Sequence, residues 1–336
     1  GNATGLSGLL REELEENLRR GEQSILFLNR RGNSRMVVCS QCGEVPTCPR
    51  CSVHLTYHSA NGRLMCHYCG HSQPLPELCP HCYGRLQFVG MGTQKLQEAL
   101  EESYPGVEIM RMDADTITAT QSHEVLLDRF RWKQVPILLG TQMVAKGLDF
   151  ANVTLVGVVD GDLSLYADNY RAAERTFSLL TQVVGRAGRG EKLGRAVIQT
   201  WTPDNDVINL AARQDYDTFY EEEREMRRML RFPPFLDLFR ITLSGPEETQ
   251  VLRACAVIRR SLEPWVKPRQ QGPEGPEVLG PAPAPVLKVN NRYRYRVLLK
   301  CRNGREIRAV LAQILQAAQQ DRANRGLSIA MDVNPM

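Results

Sequence analysis

Eight cysteines standing in four Cys-x-x-Cys pairs between Cys39 and Cys82 constrain this chain more than any other feature. The pairs are Cys39/Cys42, Cys48/Cys51, Cys66/Cys69 and Cys79/Cys82. Two thiolates so spaced on a tight turn present both sulfurs to one ion, and two such pairs complete a tetrahedron with no open position. The eight thiols therefore predict two closed four-thiolate sites, each for one Zn²⁺, structural in role and unable to activate water. An iron–sulfur cluster or redox dithiols are the other chemistries open to these thiols. His67 and His81 lie inside knuckles, but with eight thiols present they read as solvated neighbours rather than ligands.

The knuckles can pair sequentially, interleaved or nested. Cys39 follows one apolar strand and Cys82 precedes another, so a folded insertion would bring its entry and exit together. That favours nesting: Cys39, Cys42, Cys79 and Cys82 at the neck, with Cys48, Cys51, Cys66 and Cys69 as an inner, ribbon-like site. Of the ten cysteines, only Cys255 and Cys301 stand alone. The start, Gly1-Asn2-Ala3, has neither a charged nor an apolar leader region, and it lacks an initiator Met. Paired cysteines without a secretory signal point to metal binding in a reducing cytoplasm, in a chain processed or cut from something longer.

The length of 336 residues allows two or three domains, at roughly one per 100–200 residues. A hydrophobic fraction of 42% and a charged fraction of 24% suit globular cores. No run of about 18 apolar residues occurs, so no membrane span is expected. The net charge of +4 is too mild to identify a nucleic-acid binder, and local clusters must carry that argument.

Along the chain, Ser7 caps a helix with Leu10, Leu14 and Leu18 on one face, and Gly21 ends it. Strands are expected at residues 25–28, 36–38 and 86–89, on either side of the cysteines. From there helices at 93–104, 122–132 and 171–184 alternate with strands at 107–112, 137–140, 153–160 and 195–200. That alternation of unbroken apolar strands with helices predicts an α/β domain around a parallel sheet covered on both faces. A charged helix at 215–231 stops at Pro233-Pro234, where the domain boundary is set. Beyond it come a strand (238–243), a helix (247–262), a Pro/Gly-rich stretch (264–285), strands at 286–289 and 293–300, a helix (305–322) and a strand (327–333). This βαββαβ order predicts an α+β, ferredoxin-like C-terminal domain.

Two stretches suggest a phosphate-handling enzyme. The first runs from Gly140 and Thr141 through Gln142, Gly147 and Asp149 to Phe150, after a buried strand. The second is Gln182-Val183-Val184-Gly185-Arg186-Ala187-Gly188-Arg189, whose arginines share a helix face and can reach a polyphosphate. Together these stretches resemble motifs V and VI of superfamily 2 helicases. Combined with cysteines inserted after Asn29-Arg30-Arg31-Gly32, with Arg171-Ala172-Ala173-Glu174-Arg175 and with Met331-Asp332-Val333-Asn334-Pro335, the chain resembles the family of primosomal replication-restart helicases over essentially its whole length. Ala151 and Gly161 stand where the family leads one to expect Pro and Ala.

The resemblance implies a RecA-like second helicase lobe (residues 1–38 and 85–232), a zinc-binding insertion (39–84) and a C-terminal domain binding DNA or partners (233–336). It implies that Gly147 and Asp149 border ATP, that Gln182 and Arg186 face its phosphates, that Arg189 is the arginine finger, and that Thr141 and Gln142 lie near the DNA backbone. The implied partners are forked and single-stranded DNA, single-stranded-DNA-binding protein and the primosome proteins. One departure matters: the sequence has no G-x-x-x-x-G-K-[ST] loop and no Asp-Glu-x-His box, the elements that cradle phosphates and hold Mg²⁺. In the family these lie upstream, so the chain is expected to be half an ATPase, inactive by itself. A different class of function, a non-catalytic zinc-dependent module binding nucleic acid or protein, uses the same cysteines.

One more stripe stands out. Along Asn291–Arg296, Arg292, Arg294 and Arg296 share one strand face, and Tyr293 and Tyr295 share the other. The arginines suit DNA phosphates; the tyrosines suit either base stacking or a half-buried core.

Overall fold

A strand covered by helices on both sides buries every residue, and this is what the apolar runs of the first two-thirds of the chain do. The computed structural model describes residues 5–28, 36–58, 61–90, 92–112, 123–133, 135–141, 150, 152–162, 164–167, 169–185, 193–269 and 275–335. In chain order, the elements begin with α1 (Gly8–Arg19), β1 (Gln23–Phe27), β2 (Met36–Cys39), β3 (Thr56–His58), β4 (Arg63–Met65), β5 (Ser72–Pro74) and β6 (Leu86–Val89). Next are α2 (Thr93–Ser103), β7 (Ile109–Met112), α3 (His123–Lys133), β8 (Ile137–Gly140), β9 (Val153–Val158), α4 (Ala172–Val184) and β10 (Arg195–Ile198). Two helices follow, α5 (Asp206–Arg213) and α6 (Tyr216–Met229). The last elements are β11 (Asp237–Gly245), α7 (Glu248–Val266), β12 (Glu277–Val289), β13 (Arg292–Cys301), α8 (Arg305–Gln320) and β14 (Ser328–Val333).

The first sheet has the order β10-β9-β1-β8-β7, and its pairings are parallel. Because side chains alternate along β1, Leu26 and Leu28 join Leu10 and Leu14 of α1 and Leu96 and Leu100 of α2. Ile25 and Phe27 instead join Phe130 of α3 and Phe177 and Leu180 of α4. Each such side chain contributes about 1.5–3 kcal/mol by leaving water. Ser7 caps α1 by accepting the Leu10 amide, as its position before the apolar stripe predicts.

The second sheet is antiparallel, in the order β12-β13-β11-β14. Helices α7 and α8 cover the face that carries Phe239, Ile241, Leu243, Val297 and Leu299. This is the ferredoxin-like arrangement that the βαββαβ order predicts.

Two readings of the sequence need correction. The Pro/Gly-rich stretch is largely strand: β12 begins at Glu277 and contains Pro281, Pro283 and Pro285. It lies at the sheet edge, where a residue without an N–H costs no ladder bond, and its register shifts around the prolines. Helix α5 was not anticipated, although Asn205 caps it by accepting from the amides of Val207 and Ile208. No helix among the described residues is long and apolar enough to cross a membrane.

Candidate metal centres and motor loops

Each cysteine pair is held by the same backbone device. The amides of Gly43, Ser52, Gly70 and Tyr83 return to the carbonyls of Cys39, Cys48, Cys66 and Cys79. The amides of those four cysteines in turn reach the carbonyls of Glu44, Val53, His71 and Gly84. Closing so tight a turn requires φ > 0 at the residue after the second cysteine, and the values are 71°, 51°, 77° and 60°. Glycine adopts this freely at two of the four positions. Strands β2 and β6 pair antiparallel with Cys39 opposite Leu86, which zips the neck of the insertion. Strands β3, β4 and β5 form a small antiparallel sheet inside it.

Two groups result. The thiols of Cys39, Cys42, Cys79 and Cys82 lie within 4.8 Å of one another, as do those of Cys48, Cys51, Cys66 and Cys69. The grouping is the nested one. Burial opposes the Cys39 thiolate, yet the Cys42 and Gln41 amides and the Cys82 thiol bring its pKa down to about 6. A hydrogen bond from Cys51 holds Cys66 down to about 5 despite its burial. Burial pushes Cys48 up to about 11, and the bond shared with Cys66 together with burial pushes Cys51 well up. Each cluster thus accepts a first negative charge and resists further ones. A divalent cation among the sulfurs removes that resistance, so the donor set fits a four-thiolate metal site.

His81 is exposed, but His67 is not a solvated neighbour. It is only 2% exposed. Its Nδ1 lies 2.7 Å from the Pro283 carbonyl, which can only accept, so Nδ1 carries the hydrogen. Nε2 is 3.0 Å from Nε2 of His58. This histidine fastens the inner knuckle to β12. Gly70 also approaches β12: a Cβ there would lie 2.6 Å from the Pro281 carbonyl, and at Gly43 it would lie 2.9 Å from the Trp201 carbonyl. One knuckle therefore docks on the C-terminal sheet and another on the segment after β10.

A substitution pair measures that docking. Gly70→Ala combines a left-handed backbone, costing about 1–2 kcal/mol, with an overlap costing about 1–3 kcal/mol more. Gly62 has a similar φ of +66° but open space around it, so Gly62→Ala carries the conformational cost alone. In thermal melts Gly70→Ala should be the more destabilised by about 1 kcal/mol or more. Equal losses would mean that the close approach contributes nothing.

Of the two stretches expected to handle phosphate, Thr141 and Gln182 lie among the described residues. Thr141 follows β8 directly, and its amide meets the Met112 carbonyl at 3.3 Å. Gln182 is exposed in the last turn of α4, where its side chain donates to Ser178 Oγ at 3.3 Å. Gln142, Gly147, Asp149, Arg186 and Arg189 lie outside the described residues. Sequence reasoning missed Asp162. Fully buried between the two loops in sequence, it accepts from Thr200 Oγ1, the Trp201 amide and Thr202 Oγ1 at 2.8, 2.8 and 2.6 Å. This carboxylate ties the end of β9 to the segment after β10. The apolar strand ending in Asp160-Gly161-Asp162 was its signal.

On β13 the stripe divides as its alternation requires. Tyr295 faces the helices, packs on the C-terminal core and donates to Glu248. Burial first, and then that carboxylate, push its pKa up. Tyr295 is therefore core. Tyr293 carries the Lys288 ammonium 4.7 Å from its ring centroid. Across the sheet Arg292 donates to the carbonyls of Ser244 and Gly326 at 2.9 and 2.8 Å. Arg296 lines a small cavity with His67, Tyr170 and Arg240. Arg292 and Arg296 thus share a face but not an environment.

Comparison with known proteins gives these parts a common origin. Residues 228–336 match the primosomal protein N C-terminal domain, residues 48–74 the PriA DNA helicase Cys-rich region, and residues 83–191 the helicase conserved C-terminal domain. The replication restart protein PriA of Bacillus subtilis is 42% identical over 336 residues, which is 100% of this chain and 41% of that protein. The chain belongs to the PriA family. The PriA of Synechocystis is 43% identical over 89% of this chain and 36% of that protein, and the PriA of Treponema pallidum is 36% identical over 98% and 49%. The chain thus spans less than half the length of these PriA relatives. The PriA Cys-rich match contains the inner cluster whole, whereas the outer cluster lies beyond it on both sides and closes the neck.

Proposed function

We propose that this chain is the C-terminal part of an ATP-dependent, 3′-to-5′ DNA helicase that recognises stalled forks and reloads the replication machinery. What carries the reading is the coincidence of a PriA-type cysteine insertion with a helicase C-terminal match across strands β7 to β9 and both motor loops. In this reading residues 1–38 and 85–232 are the second motor lobe, 39–84 the zinc-binding insertion and 233–336 the C-terminal domain. Each four-thiolate cluster holds one Zn²⁺, which fixes knuckle shape and performs no chemistry. Gly147 and Asp149 border ATP, Gln182 and Arg186 face its phosphates, and Arg189 stabilises charge developing in transfer. ATP and Mg²⁺ bind only with a first lobe that supplies a phosphate loop, so this chain alone is inactive. Single-stranded-DNA-binding protein and the primosome proteins are its partners, in the cytoplasm. Thr141, Gln142, Arg292, Arg294 and Arg296 contact DNA.

DNA contact is testable on this chain alone. Affinity for single-stranded or forked DNA should fall steeply with salt, since each neutralised phosphate releases counterion, about −0.7 in log–log slope per contact on single strands. Replacing Arg292, Arg294 and Arg296 together should flatten the slope by about two units while the fold survives. An unchanged slope would leave these arginines with contacts inside the protein alone and withdraw the DNA contact.

A further inference from the structure

Along β13, Arg292, Arg294 and Arg296 share the sheet face that α7 and α8 leave uncovered. The pairing register extends that face over β11 and β14. Arg296 stands opposite Thr242, and Thr242 opposite Ala330; Arg294 stands opposite Ser244, and Ser244 opposite Ser328. Ser328, Ala330 and Asp332 are exposed, and Arg294, Thr242 and Ser244 partly so. At its other end the inner cysteine module closes the face: Leu238 and Leu298 are buried in one cluster with Leu64 and Tyr68, and Arg296 lines a small cavity with His67. We infer that the open part of this face is a track for a nucleic-acid backbone, with the phosphates on the sheet and the bases turned away. The inference rests on the proposed DNA contact of the three arginines and fixes its mode.

Charge, pitch and the absence of rings carry it. No Asp or Glu occurs between Val278 and Arg305, and Asp332, which shares the face, is held by Arg240 at 3.0 Å. Arg292 engages the Ser244 and Gly326 carbonyls through Nη2, while Arg294 has no hydrogen-bond or ion-pair partner among the described residues. Alternate residues of a strand lie about 6.4–6.8 Å apart, close to the separation of successive phosphates in a stretched nucleic-acid strand. The guanidiniums therefore follow consecutive phosphates along β13, and the Thr242, Ser244 and Ser328 hydroxyls stand in the same rows as further donors. Sheets that read single strands by their bases do so with aromatic rings. Here Tyr293 and Tyr295 belong to the opposite face, and the open rows hold guanidiniums, hydroxyls and a methyl group. Such a face grips backbone regardless of sequence and leaves the bases free to pair.

The experiment measures binding of a labelled oligothymidylate, and of an abasic strand of equal length, to the metal-loaded, 336-residue chain by fluorescence anisotropy. Arg294→Gln and Ser328→Glu should each weaken binding several-fold, by the same factor on both strands, and Arg294→Gln should flatten the salt slope by about 0.7. Arg253→Gln, on helix α7 across the sheet, should change neither. A loss seen on oligothymidylate and absent on the abasic strand means that bases are read here and overturns the inference. Ser328 is exposed, so Ser328→Glu keeps the test open where Arg294→Gln melts early. The triple replacement of Arg292, Arg294 and Arg296 separates the two levels. A flattened slope in the triple variant, with neither single variant weakened, overturns the backbone track alone. An unchanged slope in the triple variant removes the DNA contact itself. Polyglutamate that displaces the abasic strand as well as DNA does, at equal charge concentration, assigns the face to an acidic peptide and also overturns the track.

Discussion

A strong chelator should unfold residues 39–82 before the rest of the chain, and elemental analysis before treatment should find two zinc ions per molecule. The expected effect is large: structural zinc contributes about 10–16 kcal/mol in small peptides, comparable with the roughly 5–15 kcal/mol of a whole domain. The nested clusters make the test specific. Cys39→Ser and Cys79→Ser should each release the same single ion, and Cys48→Ser and Cys66→Ser the other. Losing the inner ion should also loosen the C-terminal sheet, because His67 and Gly70, both on the inner knuckle, contact Pro283 and Pro281. Losing the outer ion should free the neck but leave that contact. One zinc per chain, or an iron chromophore, would contradict the account.

In the complete protein, Arg189→Ala should abolish most ATP turnover while DNA binding survives. An arginine finger is worth about 10³–10⁵ in rate, because its charge meets the transition state and not the bound substrate. The change should therefore appear in kcat with little movement in KM. A variant that retained most of its turnover would remove Arg189 from the phosphoryl-transfer step.

Much of the fold was legible because burial on both faces leaves a simple pattern. The strands expected at 25–28, 137–140 and 153–160 coincide with the buried strands Gln23–Phe27, Ile137–Gly140 and Val153–Val158 of the parallel sheet. The nested clusters were legible for a topological reason: an insertion must leave where it enters, and β2 pairs with β6 there. What escaped was set by tertiary position. Pro281, Pro283 and Pro285 argue against a strand until the edge position of β12 is known. The role of His67 was invisible for the same reason, since its partner lies more than two hundred residues away, as the 216-residue separation shows. Asp162 belongs to no motif of its own, and its three donors, all from residues 200–202, are brought to it only by the fold. The stripe on β13 gave the sharing of faces correctly, but alternation alone cannot say which face meets helices.

The central claim, that this chain is the second half of a helicase motor, is tested most directly by DNA-stimulated ATP hydrolysis with and without the first lobe. The chain alone, folded and metal-loaded, should hydrolyse ATP at background rate with or without single-stranded DNA, since its sequence carries no G-x-x-x-x-G-K-[ST] phosphate loop. In the proposed reading the complete protein supplies that loop, and it should hydrolyse ATP when DNA is added. Robust DNA-stimulated turnover by the isolated chain would contradict the account, and so would a complete protein that binds DNA but never turns over ATP.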